Sequence, residues 1–206
     1  MLPGSTKVSF QTSDSTKINF NSLAEQREYQ AVESLINLFN STFAAHDTVL
    51  VRGDCEPLYQ PAGRHQRDHQ VIFAHGFFSS ALHEIAHWCI AGEERRKLVD
   101  YGYWYCPDGR DAQQQAKFEQ VEIKPQAIEW ALTAACGRDF GVSTDNLNGA
   151  EPDRDGFVSS VRQQLLRYFE SGFPPRAQHF IQQCSLEFGT TVLTYEQCLT
   201  CSKDLS

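Results

Sequence analysis

Three residues in one short run have the types and spacing for metal chemistry. His83, Glu84 and His87 lie in Ala81-Leu82-His83-Glu84-Ile85-Ala86-His87-Trp88 and form an H-E-x-x-H motif. On an α-helix, residues four apart share a face and are separated by about 6 Å along the axis, so both imidazoles can reach one ion. The glutamate between them is then placed as a catalytic acid–base group. Phe78, Leu82, Ile85, Cys89 and Ile90 recur at helical spacing around the motif, and Ser79 or Ser80 is expected to cap the helix. Two core histidines satisfied by ordinary hydrogen bonds are the bland alternative, and the buried amphipathic context favours the metal site over them.

Two neutral imidazoles leave a coordination shell open, so a third protein ligand is needed. The segment Phe118-Glu119-Gln120-Val121-Glu122-Ile123-Lys124-Pro125 offers two glutamates one turn apart. Glu122 is the favoured ligand. Pro125 opens the backbone hydrogen bonding beside it, and Gln126, four residues on, is placed to orient its carboxylate. Glu119 is the supporting acid or the alternative ligand. Glu93 and Glu94 belong to the charged run Glu93-Glu94-Arg95-Arg96-Lys97, which reads as a solvated helix end. His65 and His69 lie in a polar loop without helical flanks. His75, just ahead of the motif helix, either faces the site or makes an ordinary hydrogen bond.

The same shell suits two reactions. Zinc on two His and one Glu, with Glu84 as general base, makes a hydrolase of the metallopeptidase kind. Ferrous iron on two His and one carboxylate, with open positions for dioxygen and substrate, makes an oxygenase. A non-catalytic module with a structural metal is a third class. The residue types leave these open.

The elements that must hold these groups follow from periodicity. Residues 1–21 read as a flexible leader, and 22–206 as one domain of α+β class: a small sheet packed with helices. A helix over about 22–44 starts at the capping box Ser22-Leu23-Ala24-Glu25. Thr48–Arg52 and Gln70–Ala74 read as strands, and so does the aromatic run Tyr101–Tyr105. A helix from Asp111 to Lys124 is expected to break or kink at Pro125 and resume to a cap at Gly137. Further helices are expected near 154–171, 175–187 and 194–200, the last with a capping box at Thr194-Tyr195-Glu196-Gln197.

Composition narrows the classes further. The chain has 206 residues and a net charge of −8, which argues against a nucleic-acid surface and suits a cationic substrate. No apolar run reaches the length of a membrane span. Seven scattered cysteines read as reduced thiols of a cytoplasmic protein, with Cys198-x-x-Cys201 as a lone pair near the C-terminus. There is no P-loop, dinucleotide glycine motif or nucleophile elbow. Glu151-x-Asp153-x-Asp155-Gly156 fails as a calcium loop, because Arg162 stands where the bidentate acid is needed.

Several longer runs carry a resemblance. They are Phe73-Ala74-His75-Gly76-Phe77, His83-Glu84-Ile85, His87-Trp88-Cys89-Ile90-Ala91-Gly92, and Gly102-Tyr103-Trp104-Tyr105-Cys106-Pro107-Asp108-Gly109-Arg110-Asp111-Ala112-Gln113. To these add Val121-Glu122-Ile123-Lys124-Pro125-Gln126-Ala127 and Asp145-Asn146-Leu147. Over roughly residues 28 to 200 the chain resembles the bacterial elongation factor P hydroxylases. The resemblance implies a compact α+β fold similar to a small metal-dependent bacterial endoribonuclease. It also implies a non-haem Fe(II) hydroxylase acting on the β-lysylated lysine of elongation factor P. Its ion site would be His83, His87 and one glutamate, assigned to Glu122. Asp108, Asp111 and the Tyr101–Tyr105 aromatics are the candidates for gripping the substrate's ammonium groups, by ion pairing and cation–π contact.

Overall fold

The H-E-x-x-H helix owes its position to a short strand on one side and a long, half-buried helix on the other. The computed structural model describes residues 8–11, 17–20, 22–64, 66–99, 109–144, 146, 148–149 and 153–200. Six α-helices and five strands are present among them: β1 (Val8–Gln11), β2 (Lys17–Phe20), α1 (Leu23–Thr42), β3 (Thr48–Arg52), β4 (Leu58–Gln60), β5 (His69–Phe73), α2 (Phe78–Ile90), α3 (Ala112–Ala135), α4 (Arg154–Ser171), α5 (Pro175–Phe188) and α6 (Tyr195–Thr200). This is the expected α+β architecture, with a small sheet packed against helices in a single compact domain.

The sheet has the order β3-β5-β4. β5 pairs in parallel with β3 (Leu50 opposite Val71) and antiparallel with β4 (Tyr59 opposite Val71). Alternation puts Leu50, Val71 and Phe73 in the core. β3 is an edge strand, and α1 lies along it. There Asn40 Oδ1 accepts a hydrogen bond from the Leu50 amide at 2.7 Å, which occupies a backbone donor that an open edge would leave exposed. α1 starts where the sequence indicates, with Ser22 Oγ accepting from the Glu25 amide at 3.1 Å. Its inner face, Val32, Leu35 and Phe39, is fully buried. Residues 1–21, expected to be a flexible leader, contain the antiparallel pair β1–β2.

From β5 the chain turns into α2 through two consecutive left-handed residues, His75 (φ 52°) and Gly76 (φ 71°). A side chain at Gly76 would be strained by that φ, and its Cβ would come within 2.6 Å of the Arg52 guanidinium. The expected serine cap is absent. α2 begins at Phe78 with Phe77 in the capping position, so Ser79 and Ser80 fall inside the first turn. Ser80 Oγ instead accepts from the Ala74 amide at 3.0 Å and fastens the turn.

α3 also departs from expectation, because it runs unbroken through Pro125 from Ala112 to Ala135. A proline removes one donor, leaving the Val121 carbonyl without its helical partner. Pro125 is itself buried, so tertiary packing overrides its local preference and α3 continues. Asp111 caps α3 in a reciprocal box with Gln114. Beyond Pro125 the helix is buried all round, with Ala127, Ile128, Ala131, Leu132 and Ala135 in the core. α4, α5 and α6 lie within a residue or two of where periodicity puts them, and Thr194 and Gln197 form the expected reciprocal cap. The Tyr101–Tyr105 run lies outside the described residues.

Candidate metal centre

The core delivers α2 to the site at a fixed height and rotation. Trp88, one residue after His87, packs edge-on against Phe39 and Phe43, with ring centroids 5.2 and 4.7 Å away, and Phe180 of α5 completes the cluster. Arg176 at the start of α5 holds the other end. Its Nη2 donates to the carbonyls of Trp88, Cys89 and Ala91 at 2.8, 3.1 and 2.6 Å, placing a cation where the helix dipole is negative. Sequence reasoning gave no hint of this clamp, since 85 residues separate Arg176 from Ala91.

With α2 set this way, His83 and His87 face α3. Buried polar residues on α3 fall at Gln115, Glu122, Gln126, Glu129 and Thr133. That spacing is one helical stripe, and from Gln126 on it runs through an otherwise apolar stretch. His87 Nε2 lies 3.0 Å from His83 Nε2 and 3.2 Å from Glu122 Oε1, and His83 Nε2 is 3.5 Å from Glu122 Oε2. Among the described residues, His83, His87 and Glu122 form a group whose potential ligand atoms all lie within 4.8 Å of one another. Ligand atoms sharing one ion at about 2.1 Å, with 90–110° between them, stand about 3.0–3.4 Å apart. The donor set therefore fits a divalent cation bound from one side, with the remaining positions left to smaller molecules.

Charge couples the same groups. Burial pushes the Glu122 carboxyl up, but the imidazoles of His87 and His83 and the hydrogen bond from Gln126 outweigh it and hold the group at about 2. Burial pulls His83 down, but the charge and hydrogen bond of Glu129, with the charges of Glu122 and Glu84, raise it to about 10. For Glu84, burial dominates and lifts the carboxyl above its ordinary range, although both histidines act against that. Three acidic side chains and two imidazoles thus share a largely buried space with strongly interacting charges.

The other candidate residues separate cleanly. Glu119 is turned away from the cluster: its Oε1 accepts from Gln115 Nε2 at 2.9 Å, and the same Nε2 reaches the Thr144 carbonyl at 3.2 Å. Gln126 is pinned by the Ser143 backbone, donating to its carbonyl at 2.8 Å and accepting from its amide at 3.0 Å, which leaves its side-chain amide 3.5 Å from Glu122 Oε2. His75 is exposed on the turn, with its ring beside Phe77. His69 stacks on Tyr59 and accepts from the Ala62 amide. In the run expected to be solvated, Glu94 and Lys97 are exposed and form an ion pair. Asp111 is exposed, and its Oδ1 is engaged in the helix cap. Asp108, Cys201 and Glu151 lie outside the described residues. Glu84 and His87 line a small open cavity of about 30 Å³ together with Tyr59, Val71, Trp88, Ala91, Arg95 and Arg96.

Sequence reasoning missed Glu129, whose Oε2 lies 2.8 Å from His83 Nδ1. Two signals were available. It stands seven residues after Glu122, hence on the same face of an unbroken helix, and it is the one charged residue in Ala127-Ile128-Glu129-Trp130-Ala131-Leu132.

Comparison with known proteins decides the family. The sequence profile of the elongation factor P hydroxylases matches residues 38–198 of this chain. The chain belongs to that family. A relative from Haemophilus influenzae, named elongation factor P lysine hydroxylase, is 50% identical over 148 residues, covering 71% of this chain and 83% of the relative. The matched region contains every element that builds the centre, from the last turn of α1 into α6. No helix among the described residues is long and apolar enough to cross a membrane.

Proposed function

We propose that this chain is a cytoplasmic non-haem iron hydroxylase that modifies the β-lysylated lysine of elongation factor P. Family membership supports the reaction and the protein substrate, and the His83–His87–Glu122 cluster supports a metal ion as the agent. In this reading His83 and His87 bind the ion through Nε2 and Glu122 binds through its carboxylate. Ferrous iron held there supplies the redox chemistry by which dioxygen can hydroxylate an unactivated carbon.

The protein's own groups do the remaining work. Glu122 contributes one negative charge, and both imidazoles must be neutral at Nε2 to bind, so the His83 proton resides on Nδ1, facing Glu129. Glu84 lies beside the ion site on the wall of the cavity, and its raised carboxyl range suits it to take up and release a proton there. The substrate tip is cationic, which matches the chain's negative balance. Asp108 and Asp111 are assigned to its ammonium groups.

The test is mass spectrometry of β-lysylated elongation factor P incubated with the iron-loaded protein, dioxygen and a chemical reductant that supplies the two electrons needed to carry the second oxygen atom to water. One oxygen atom should be added, and the addition should vanish after chelation and in His83→Ala. Undiminished modification by His83→Ala would end this assignment of the centre.

A further inference from the structure

Glu129 has no part in the shell just described, yet it is a buried acid whose cost must be explained. Its residue is 8% exposed and lies between the core residues Ile128 and Trp130. Taking a carboxylate out of water costs several kcal/mol unless partners compensate. Glu129 Oε2 is compensated by His83 Nδ1, at 2.8 Å. An apolar residue here would pack with its neighbours at no such cost, so the position is set by what the carboxylate does to His83.

The geometry is specific. His83 offers two ring nitrogens, and they point to different partners: Nδ1 to Glu129, and Nε2 to His87 and Glu122. An ionised carboxylate only accepts, so the Nδ1 end must carry the proton and the Nε2 lone pair is left for the ion. The bond also fixes the rotation of the ring about its Cβ–Cγ axis. α3 supplies both acids, Glu122 two turns before Glu129, so the residue that binds the ion and the residue that aims its neighbour ride on one rigid element. That coupling requires the helix to pass Pro125 without a break, as it does.

We propose that Glu129 is a positioning residue for the metal centre: it holds His83 in the Nδ1–H tautomer and in the orientation that presents Nε2 to the ion. The proposal rests on the reading of His83, His87 and Glu122 as the ligands. A carboxylate behind a metal-bound histidine raises its donor strength, and losing such a partner weakens metal binding by about 10–100-fold.

The experiment compares the full chain with Glu129→Gln, Glu129→Ala and Glu122→Ala, each checked for fold by circular dichroism. Metal affinity is read by anaerobic Fe(II) titration, and the His83 tautomer by nitrogen-15 NMR of histidine-labelled, zinc-loaded protein. The expected results are a protonated Nδ1 on His83 in the parent chain and about 10–100-fold weaker binding in Glu129→Ala, with its coordinated histidine signals shifted. Glu129→Gln, whose amide oxygen can still accept from Nδ1–H, should lose less. Should the alanine variant not fold, a measurable weakening in the glutamine variant carries the proposal, and parent-like affinity in it overturns it. Parent-like affinity in both Glu129 variants, with binding lost in Glu122→Ala, overturns the positioning role while leaving the ligands in place. Parent-like affinity in Glu122→Ala overturns the ligand reading and this role together.

Discussion

Replacing each of the two glutamates on α3 gives a sharp contrast. Glu122→Ala removes a carboxylate whose oxygens lie 3.2 and 3.5 Å from the two histidine Nε2 atoms. A four-ligand structural zinc site is worth about 10–16 kcal/mol, or about 2.5–4 kcal/mol per ligand. At about 1.4 kcal/mol per factor of ten, losing Glu122 should weaken metal binding by about two to three orders of magnitude. Glu119→Ala removes instead an acceptor for Gln115 Nε2, 2.9 Å away, and leaves Gln115 its bond to the Thr144 carbonyl. That loss is worth about 0.5–1.5 kcal/mol of stability, and its effect on the ion, passed through the loop that also holds Gln126, should stay below about tenfold. Anaerobic Fe(II) titrations of the two variants, alongside thermal melts, measure both quantities. The reverse order of affinities would refute the assignment of the third ligand.

Two further outcomes follow from the packing and the charges. Phe39→Ala, at a fully buried ring 5.2 Å from Trp88, should cost about 3–5 kcal/mol and lower the melting temperature by about 6–20 °C; a change below about 1 kcal/mol in urea titration would contradict the role of this cluster in seating α2. Chelator-treated protein should lose stability on acidification, because Glu122, ordinarily near 4.5, is held at about 2 despite its burial by His87 and His83. The folded value lies below the unfolded one, so this stabilisation is complete above about pH 4.5 and is lost as pH falls toward about 2. In Glu122→Gln the urea midpoint should fall less over that range, and an identical fall would show that Glu122 does not carry it.

Much of the centre could be read from the chain because its signals are local. The i,i+4 histidines, the capping boxes and the alternating strands each lie within a few residues, and α1, β3, β5 and α4 to α6 stand close to where those patterns put them. The misreadings share a cause, since each depends on what surrounds the segment. Pro125 disfavours a helix locally, but the ring is buried and tertiary packing carries α3 past it. Ser79 and Ser80 were expected to cap α2, but the left-handed turn at His75 and Gly76 starts the helix earlier. Glu129 is invisible to a reading that splits α3 at Pro125, because its register with Glu122 exists only in the unbroken helix. Arg176 is farther still, as no periodicity links the start of α5 to the carbonyl end of α2.

The source of the added oxygen tests the central claim most directly. β-Lysylated elongation factor P is treated with the iron-loaded protein and a chemical reductant under isotopically labelled dioxygen, and in parallel with the zinc-loaded protein under the same conditions. The account predicts one labelled oxygen atom on the substrate lysine with iron and none with zinc. An unlabelled product, or cleavage of the substrate by the zinc form in place of oxygen insertion, would contradict it.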